Sequence, residues 1–480
     1  MHNANESPLI RHGITLKETA NFAWSAIQDV KVLMSNMVTL TNVCWSSEVD
    51  CACDVNMSSF SDNKLSAVVH AVCDPTDMSL RIDFSMSDHS VIRVALHIQD
   101  HGETSFLSCV AYPMHTQDGE RLVSHSHIVE LSISIFNVAD LSIRKYRNMR
   151  DFSHTFTSTF DQILQHVLHE IDDEIQRDRI RDMIIYNSIG GKQERAFLCY
   201  TSFIELSTQS DVHMHTNIEL TACMWLVEIL QAFATVEDDV MDDSLQRRGK
   251  PCWYRTVGRA EAINDGILLL MICGQLINKY VQSDVQRAIR ELFDNVCFRT
   301  TIGQSLDLML SATEKRTVTE SQYNSMVVHK TAYYTFDLPL QLGNILARRP
   351  SSMYRDEIFT ISKQLGYYFQ FQDDYLDCYG EHTGKQGSDI QDGKCTWLVL
   401  YALTVASEVD AGRLNAHYGH PDPTCVSIVK NVYDAVDIPG EYNRREKKLV
   451  DEIKLSSSAS SAPVQRICKL ILGMLHKRYK

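Results

Sequence analysis

Two aspartate clusters hold the residues of this chain best suited to chemistry. Asp238-Asp239-Val240-Met241-Asp242 and Asp373-Asp374-Tyr375-Leu376-Asp377 write the same DDxxD spacing twice, each opening out of an apolar run. On a helix the first and last aspartates of a cluster stand at i and i+4 on one face, where like charges repel by roughly 0.2–0.5 kcal/mol. Such a face calls for a cation. A hard ion such as Mg2+ binds through one or two carboxylates and completes its octahedron with water and substrate phosphates, so two facing clusters would cradle a diphosphate. Arg247-Arg248, just after the first cluster, add guanidinium forks that suit phosphate oxygens. A single DDxxD reads as a solvated acidic helix end; two of them with an Arg-Arg pair point to a grip on a pyrophosphate leaving group.

Positioning these carboxylates requires helices, and the sequence supplies the pattern from about Thr155 onward. Phe160, Ile163, Leu164, Val167 and Ile171 recur at helical spacing, as do Leu220, Cys223, Val227, Leu230 and Ala234. Turn signals fall at Ile189-Gly190-Gly191-Lys192, at Arg247-Arg248-Gly249-Lys250-Pro251 and from Tyr379 to Gly384, and Ser456 to Ser461 reads as a short serine-rich loop. The expectation is long helices joined by polar loops. The first 150 residues differ. Ser79 to Phe84 and Val91 to Ile98 alternate or run apolar as strands do. The basic stretch Arg144 to Arg150 marks the expected boundary, giving an N-terminal extension over 1–150, small and strand-containing or partly disordered, and a helical domain over 151–480.

Whole-chain properties narrow the class. A net charge of -15 argues against a protein whose main partner is nucleic acid, since such domains carry a basic patch. The longest apolar stretches, such as Ile267 to Cys273 and Trp397 to Leu403, fall short of the roughly 20 residues of a membrane span, so no span is expected. Met1 to Leu40 mixes Glu6, Glu18 and Asp29 with few arginines and resembles neither a secretory signal nor a transit peptide. A cytoplasmic location is the expectation, and a mitochondrial one has no clear transit peptide behind it. The 14 cysteines then read as reduced thiols. In the first 150 residues Cys51 and Cys53 are separated by one residue and no pair has CxxC spacing, which argues against a structural zinc site there.

Further motifs follow in order: Gly190-Gly191-Lys192, Leu230-Gln231-Ala232-Phe233, Arg247 to Tyr254, Ala262-Ile263-Asn264-Asp265 and Ile302 to Leu308. Lys330-Thr331-Ala332-Tyr333-Tyr334, Phe369 to Asp377 and Asp389-Ile390-Gln391-Asp392-Gly393-Lys394 complete the series. With the aspartate clusters they make the chain resemble the farnesyl diphosphate synthases of the trans-prenyltransferase family over about Phe152 to Lys480. The resemblance implies an all-α helical bundle around a deep cavity, a homodimer, and about three Mg2+ ions. It implies Asp238, Asp242 and Asp373 as direct ligands, with Asp239, Asp374 and Asp377 in support. Arg247, Lys330 and Lys385 would hold an allylic diphosphate, with Lys394 near by, while Thr331 and Gln370 would point oxygen dipoles at the allylic cation. Lys192, Arg195 and Arg248, with Gln231, would form a metal-free pocket for isopentenyl diphosphate. Lys477, Arg478 and Lys480 resemble a basic tail that closes over it.

The sequence also departs from that family. Ala234, four residues before Asp238, stands where an aromatic is common, and on a helix it lies one turn below Asp238 on the same face. Removing that floor would admit a product longer than fifteen carbons, unless a neighbouring bulky side chain fills the space. Gln193-Glu194 replaces a frequent Tyr-Asn, placing an acid that either weakens the second substrate or turns outward. Gly393 replaces a frequent asparagine. Family-derived proteins of insects keep both aspartate clusters yet work as terpene synthases, ionising a prenyl diphosphate without extending it. The presence of Lys192, Arg195 and Arg248 favours chain elongation over that alternative.

Overall fold

The computed structural model describes seven strands between Ile10 and Met114, and residues 152–480 except 154, 155, 158, 208–217, 351, 381–386 and 477–480. The chain divides into two units, Met1–Arg150 and Asp151–Lys480. In the first, strands β1 (Ile10–Leu16), β2 (Thr39–Trp45), β3 (Asp50–Asn56), β4 (Ser66–Asp74), β5 (Ser79–Met86), β6 (Val91–Asp100) and β7 (Ser105–Met114) form one antiparallel sheet. Its order is β1-β7-β6-β5-β4-β3-β2, so each strand from β3 to β7 pairs with its predecessor, β1 pairs with β7, and β1 and β2 are the two edges. The two strand runs expected from sequence lie in β5 and β6, with Ile82 opposite Val94. The basic stretch at 144–150 lies outside the described residues.

The second unit is helical. Helices α1 (Phe160–His169), α2 (Glu174–Ser188), α3 (Glu194–Leu206) and α4 (Ile218–Met241) are followed by a hairpin, β8 (Gln246–Arg247) and β9 (Lys250–Pro251). Then come α5 (Trp253–Val257), α6 (Arg259–Tyr280), α7 (Ser283–Ala312), α8 (Glu320–Val327), a π-helical segment (Val328–Asp337), α9 (Leu338–Leu346) and α10 (Arg355–Tyr379). The chain ends in α11 (Trp397–Val405), α12 (Glu408–His417), α13 (Pro423–Ala435), α14 (Ile438–Ser458) and α15 (Ala462–Leu475). Ser456 to Ser458 therefore close a helix, and the expected serine-rich loop shrinks to a turn. The cause is local: Ser461 begins the next helix as its N-terminal boundary residue, with Pro463 in the first turn, where its missing N–H costs nothing.

Helix α4 is the axis of the unit. Leu220, Ala222, Cys223, Met224, Trp225, Leu226, Val227 and Ile229 are all at most 2 % exposed, so apolar side chains face inward all round, as a core helix requires. By length and composition α4 and α6 are apolar enough to cross a membrane, which corrects the expectation that no segment is long enough. Most of α4 is buried within the helical unit, and its last turn carries the aspartates.

The π-helical segment matters most for function. Pro339 lies in the first turn of α9 and has no N–H to give the residue four before it. Just upstream, the Leu338 N–H bonds the Tyr333 carbonyl five residues back, the mark of a π turn. Two glycines clasp the segment. A Cβ on Gly303 of α7 would stand 2.1 Å from the Lys330 backbone nitrogen, and one on Gly366 of α10 would stand 2.4 Å from the Ala332 Cβ.

Candidate active site

The first cluster emerges at the end of α4. Lys330 Nζ donates to Asp238 Oδ1 at 3.1 Å, Gln304 Nε2 donates to the same oxygen at 3.1 Å, and the Arg247 guanidinium lies 3.6 Å from Asp238 Oδ2. Burial opposes ionisation of Asp238, but Lys330, Lys394 and Arg247 outweigh it and hold the carboxyl at about 2. Asp239 turns inward and accepts from Arg247 Nε at 3.0 Å. Asp242, one turn on, accepts from Lys394 Nζ at 2.8 Å; burial and the Asp238 charge raise its carboxyl, and Lys394 only partly offsets them.

The second cluster ends α10 and is held differently. Asp373 is exposed. Asp374 is 4 % exposed and accepts from Tyr323 Oη at 2.8 Å, Gln370 Nε2 at 2.8 Å and the Trp397 N–H at 3.2 Å. Burial pushes its carboxyl up to about 7, because those partners are neutral. Asp377 accepts from the Ser388 and Asp389 N–H groups at 3.3 and 2.9 Å. The π-helical segment ties the two clusters together. Lys330 reaches Asp238, while the next residue, Thr331, donates to Gln370 Oε1 at 2.8 Å and so joins Asp374.

A basic region lies beside the first cluster. Arg248 and Gly249 form the two-residue turn of the β8–β9 hairpin with φ of 54° and 72°, the left-handed pair such turns need. This sends neighbouring arginines apart: Arg247 to Asp239, and Arg248 to the carbonyls of Asn187 and Ile189 at 3.2 and 3.4 Å. Gly191 gives Arg248 room, since a Cβ there would lie 2.9 Å from the guanidinium carbon. Lys192 is exposed. Arg195 donates to Tyr334 Oη at 3.0 Å and Thr335 Oγ1 at 2.9 Å, with its guanidinium over the Tyr334 ring. Glu194 is half-buried and is among the residues that line a cavity of about 20 Å³ with Arg195, Phe336, Phe369 and Met474. Gln231 is half-buried, and its Oε1 has no hydrogen-bond partner. Lys385, Lys477, Arg478 and Lys480 lie outside the described residues. Gly393 has φ 63°, a conformation that glycine and asparagine both tolerate, which accounts for the exchange noted in the sequence.

Three polar groups in this region, the buried Asp307 and Glu228 and the half-buried Gln304, receive no role from the sequence. Asp307 of α7 accepts from Lys330 Nζ at 2.7 Å and Lys394 Nζ at 2.9 Å, and Gln304 sits one turn before it. Glu228 of α4, 4 % exposed, accepts the Ala196 N–H at 3.0 Å in the first turn of α3. Burial raises its carboxyl, and the Ala196 N–H and the charges of Arg195 and Arg248 only partly offset that. Asp307 lies within a motif, but spacing alone gives no direction for it. Among the described residues no three His, Cys, Asp or Glu side chains converge as a ready-made metal site.

Comparison with known proteins agrees with this geometry. Residues 177–436 match the polyprenyl synthetase family model. The farnesyl pyrophosphate synthase of Zea mays is 36 % identical over 341 residues, 68 % of this chain and 96 % of its own length. The geranylgeranyl pyrophosphate synthase of Schizosaccharomyces pombe is 38 % identical over 273 residues, 56 % of this chain and 78 % of its own. Among solved structures, the farnesyl diphosphate synthase of T. brucei complexed with risedronate superposes with a TM-score of 0.63 at 30 % identity, covering 68 % of this chain and 99 % of that one. The all-α unit, its two aspartate clusters and these similarities together place the chain in the polyprenyl synthetase family.

Proposed function

We propose that this protein is a Mg2+-dependent trans-prenyltransferase that condenses isopentenyl diphosphate with dimethylallyl or geranyl diphosphate to give farnesyl diphosphate. The observation that carries this reading is the π-helical segment whose adjacent residues Lys330 and Thr331 reach the two clusters. Asp238, Asp242 and Asp373 are the residues we assign to hold Mg2+, about three ions in all. The donor set fits: the carboxylates are hard oxygen ligands, and in this structure ammonium groups stand on Asp238 and Asp242 where cations are called for. When bound, the metal supplies Lewis-acid stabilisation of charge on the departing diphosphate.

The chain's own groups do the rest. Asp239 holds Arg247 beside Asp238, and Asp374 and Asp377 brace the end of α10. Arg247, Lys330, Lys385 and Lys394 hold the allylic diphosphate and stabilise it as the C–O bond breaks, a preorganised electrostatic term that is commonly the largest in catalysis. Thr331 and Gln370 present oxygen dipoles to the allylic cation. Lys192, Arg195, Arg248 and Gln231 receive the diphosphate of the second substrate, whose double bond attacks the cation to form the new C–C bond. The proton then lost goes to pyrophosphate, so the protein needs no general base. Closure against water keeps the cation from becoming an alcohol.

A second copy of the chain is the partner we assign to α6. Ile263, Ile267 and Met271, one turn apart, are 43, 52 and 55 % exposed, an apolar stripe that self-association would cover. We assign 151–480 as the catalytic domain with 1–150 as an appendage, and a cytoplasmic location. Purified protein with Mg2+ is incubated with geranyl diphosphate plus isopentenyl diphosphate, and separately with farnesyl diphosphate alone. Farnesyl diphosphate or a longer chain in the first tube is expected. Hydrocarbon in the second with no elongation in the first would instead make it a terpene synthase.

A further inference from the structure

Asp307 lies outside both aspartate clusters, yet two lysines of the site meet on it. Its side chain is 6 % exposed, and its Oδ2 alone accepts from Lys330 Nζ at 2.7 Å and Lys394 Nζ at 2.9 Å. The two lysines come from different elements, Lys330 from the π-helical segment and Lys394 from the turn that follows α10. Each ammonium has a second partner in the first cluster, Asp238 for Lys330 and Asp242 for Lys394. Like charges on flexible four-carbon stems spread apart unless something holds them, and one shared oxygen keeps both ammoniums within a hydrogen-bond length of a common point. Burial opposes ionisation of Asp307, but Lys330 and Lys394 outweigh it and keep the carboxyl below its ordinary range.

We propose that Asp307 is a positioning residue that fixes Lys330 and Lys394 as a two-pronged cationic fork for the diphosphate of the allylic substrate. The proposal rests on the prenyltransferase reading above and deepens it. Asp238 and Asp242 are the lysines' other anchors, and in that reading they turn to metal when substrate is held. Asp307, outside the clusters, is then the anchor that stays. It carries one negative charge against two positive ones, so the fork keeps a net positive charge for the diphosphate.

The sign of one measurement separates positioning from simple charge. Asp307→Asn removes a negative charge from an anion site, so charge alone predicts tighter binding of inorganic pyrophosphate with Mg2+. Loss of the fork predicts the opposite. Calorimetry is expected to show pyrophosphate bound ~10-fold more weakly with unchanged stoichiometry, and turnover reduced by ~10²-fold, the scale of a 1 Å misplacement. Equal or tighter binding overturns the proposal. So does a fall in stoichiometry at unchanged affinity, which marks a fraction of misfolded protein and a merely structural role. Because Asp307→Asn leaves two ammoniums less compensated and risks misfolding, Lys394→Gln and the double variant are measured too. The double variant should bind pyrophosphate within ~3-fold of Lys394→Gln, since groups acting as one unit are not additive; full additivity sinks the idea. If the wild-type protein turns over no prenyl diphosphate, the functional reading fails, while the pyrophosphate measurements still judge Asp307.

Discussion

Gly303→Ala tests whether the clasp on the π-helical segment sets the catalytic geometry. The added Cβ would lie 2.1 Å from the Lys330 nitrogen, 2.4 Å from the His329 carbonyl carbon and 2.5 Å from the Lys330 Cα. All three atoms are backbone, so no rotamer change relieves the overlap. Ordinary contact begins near 3.4 Å, so α7 and the π-helical segment must part by about 1 Å at least. Overpacking of this kind costs ~1–3 kcal/mol, offset in part by the ~1 kcal/mol that alanine gains over glycine inside a helix. Stability in urea should therefore fall by at most ~2 kcal/mol. Activity should suffer more, because the separation moves Gln304 and Asp307 of α7 away from Asp238 and Lys330, and a 1 Å misplacement costs ~10²-fold in rate. Gly412→Ala is the control. Gly412 is an exposed residue of α12 with nothing within 4 Å of its added Cβ, and that variant should gain up to ~1 kcal/mol at full activity. Turnover of Gly303→Ala within ~3-fold of wild type, with a urea midpoint like that of the control, would refute the reasoning.

Two more substitutions probe separate parts of the helical unit. Ala234 is half-buried, one turn before Asp238 on α4, and Ala234→Phe should restore a floor and shift products toward shorter chains by at least ~10-fold, since even one methylene in an apolar pocket discriminates by that much; chromatography of dephosphorylated products checks it, and an unchanged distribution ends the idea. Asp337, 6 % exposed at the end of the π-helical segment, accepts from Gln341 at 3.1 Å, and burial lifts its carboxyl to about 6 despite Gln341 and Arg355. An acid with a raised folded-state pKa imposes no penalty below its unfolded value near 3.9; the penalty grows as pH rises toward 6 and is constant above, at up to ~3 kcal/mol for about two pKa units. Asp337→Asn should therefore stabilise the protein by ~1–3 kcal/mol at pH 8 and leave it unchanged at pH 3.5. Urea titrations at both pH values check this, and an equal effect at the two would exclude the carboxylate as its source.

Sequence spacing located the elements that bear chemistry better than the directions of their side chains. The apolar repeats at Phe160 and Leu220 fall in α1 and α4, and the Arg248-Gly249 turn signal marks a tight hairpin, because periodicity and glycine conformations are local properties. Lys394 is different. As an isolated surface lysine it would read as solvated, yet its side chain is 13 % exposed and clamped by Asp242 and Asp307. No local pattern announces that burial, since its partners lie 152 and 87 residues away. Asp307 and Gln304 were hidden for the same reason: α7 is 30 residues long, and only its packing against the π-helical segment decides which of its polar residues face the site. The π-helical register has one sequence cue, Pro339, and a proline in the first turn of a helix ordinarily signals nothing more than a helix start.

The repeated DDxxD spacing suggests two equivalent half-sites, and the surroundings make them unequal. Full charges hold the first cluster: Lys330, Arg247 and Lys394 sit on Asp238, Asp239 and Asp242. The donors on Asp374 in the second are neutral groups: a tyrosine hydroxyl, an amide and a backbone N–H. The middle aspartate plays a similar part in both. Asp239 and Asp374 are 3 and 4 % exposed; one fixes Arg247 and the other joins α8 to the start of α11, so each spends its carboxylate inside the protein. The reach of the motif toward solvent falls to its outer positions, and in the first cluster their ammonium partners have a mechanical consequence. In the proposed reaction, Mg2+ held by Asp238 and Asp242 would displace their ammonium partners, which would then need another anion, and a diphosphate is an anion of the right kind. On the proposed function, the first cluster would exchange partners when substrate comes. The donors that hold Asp374 are neutral and lie on three separate elements, α8, α10 and α11, which fixes this middle aspartate in place beside that exchange.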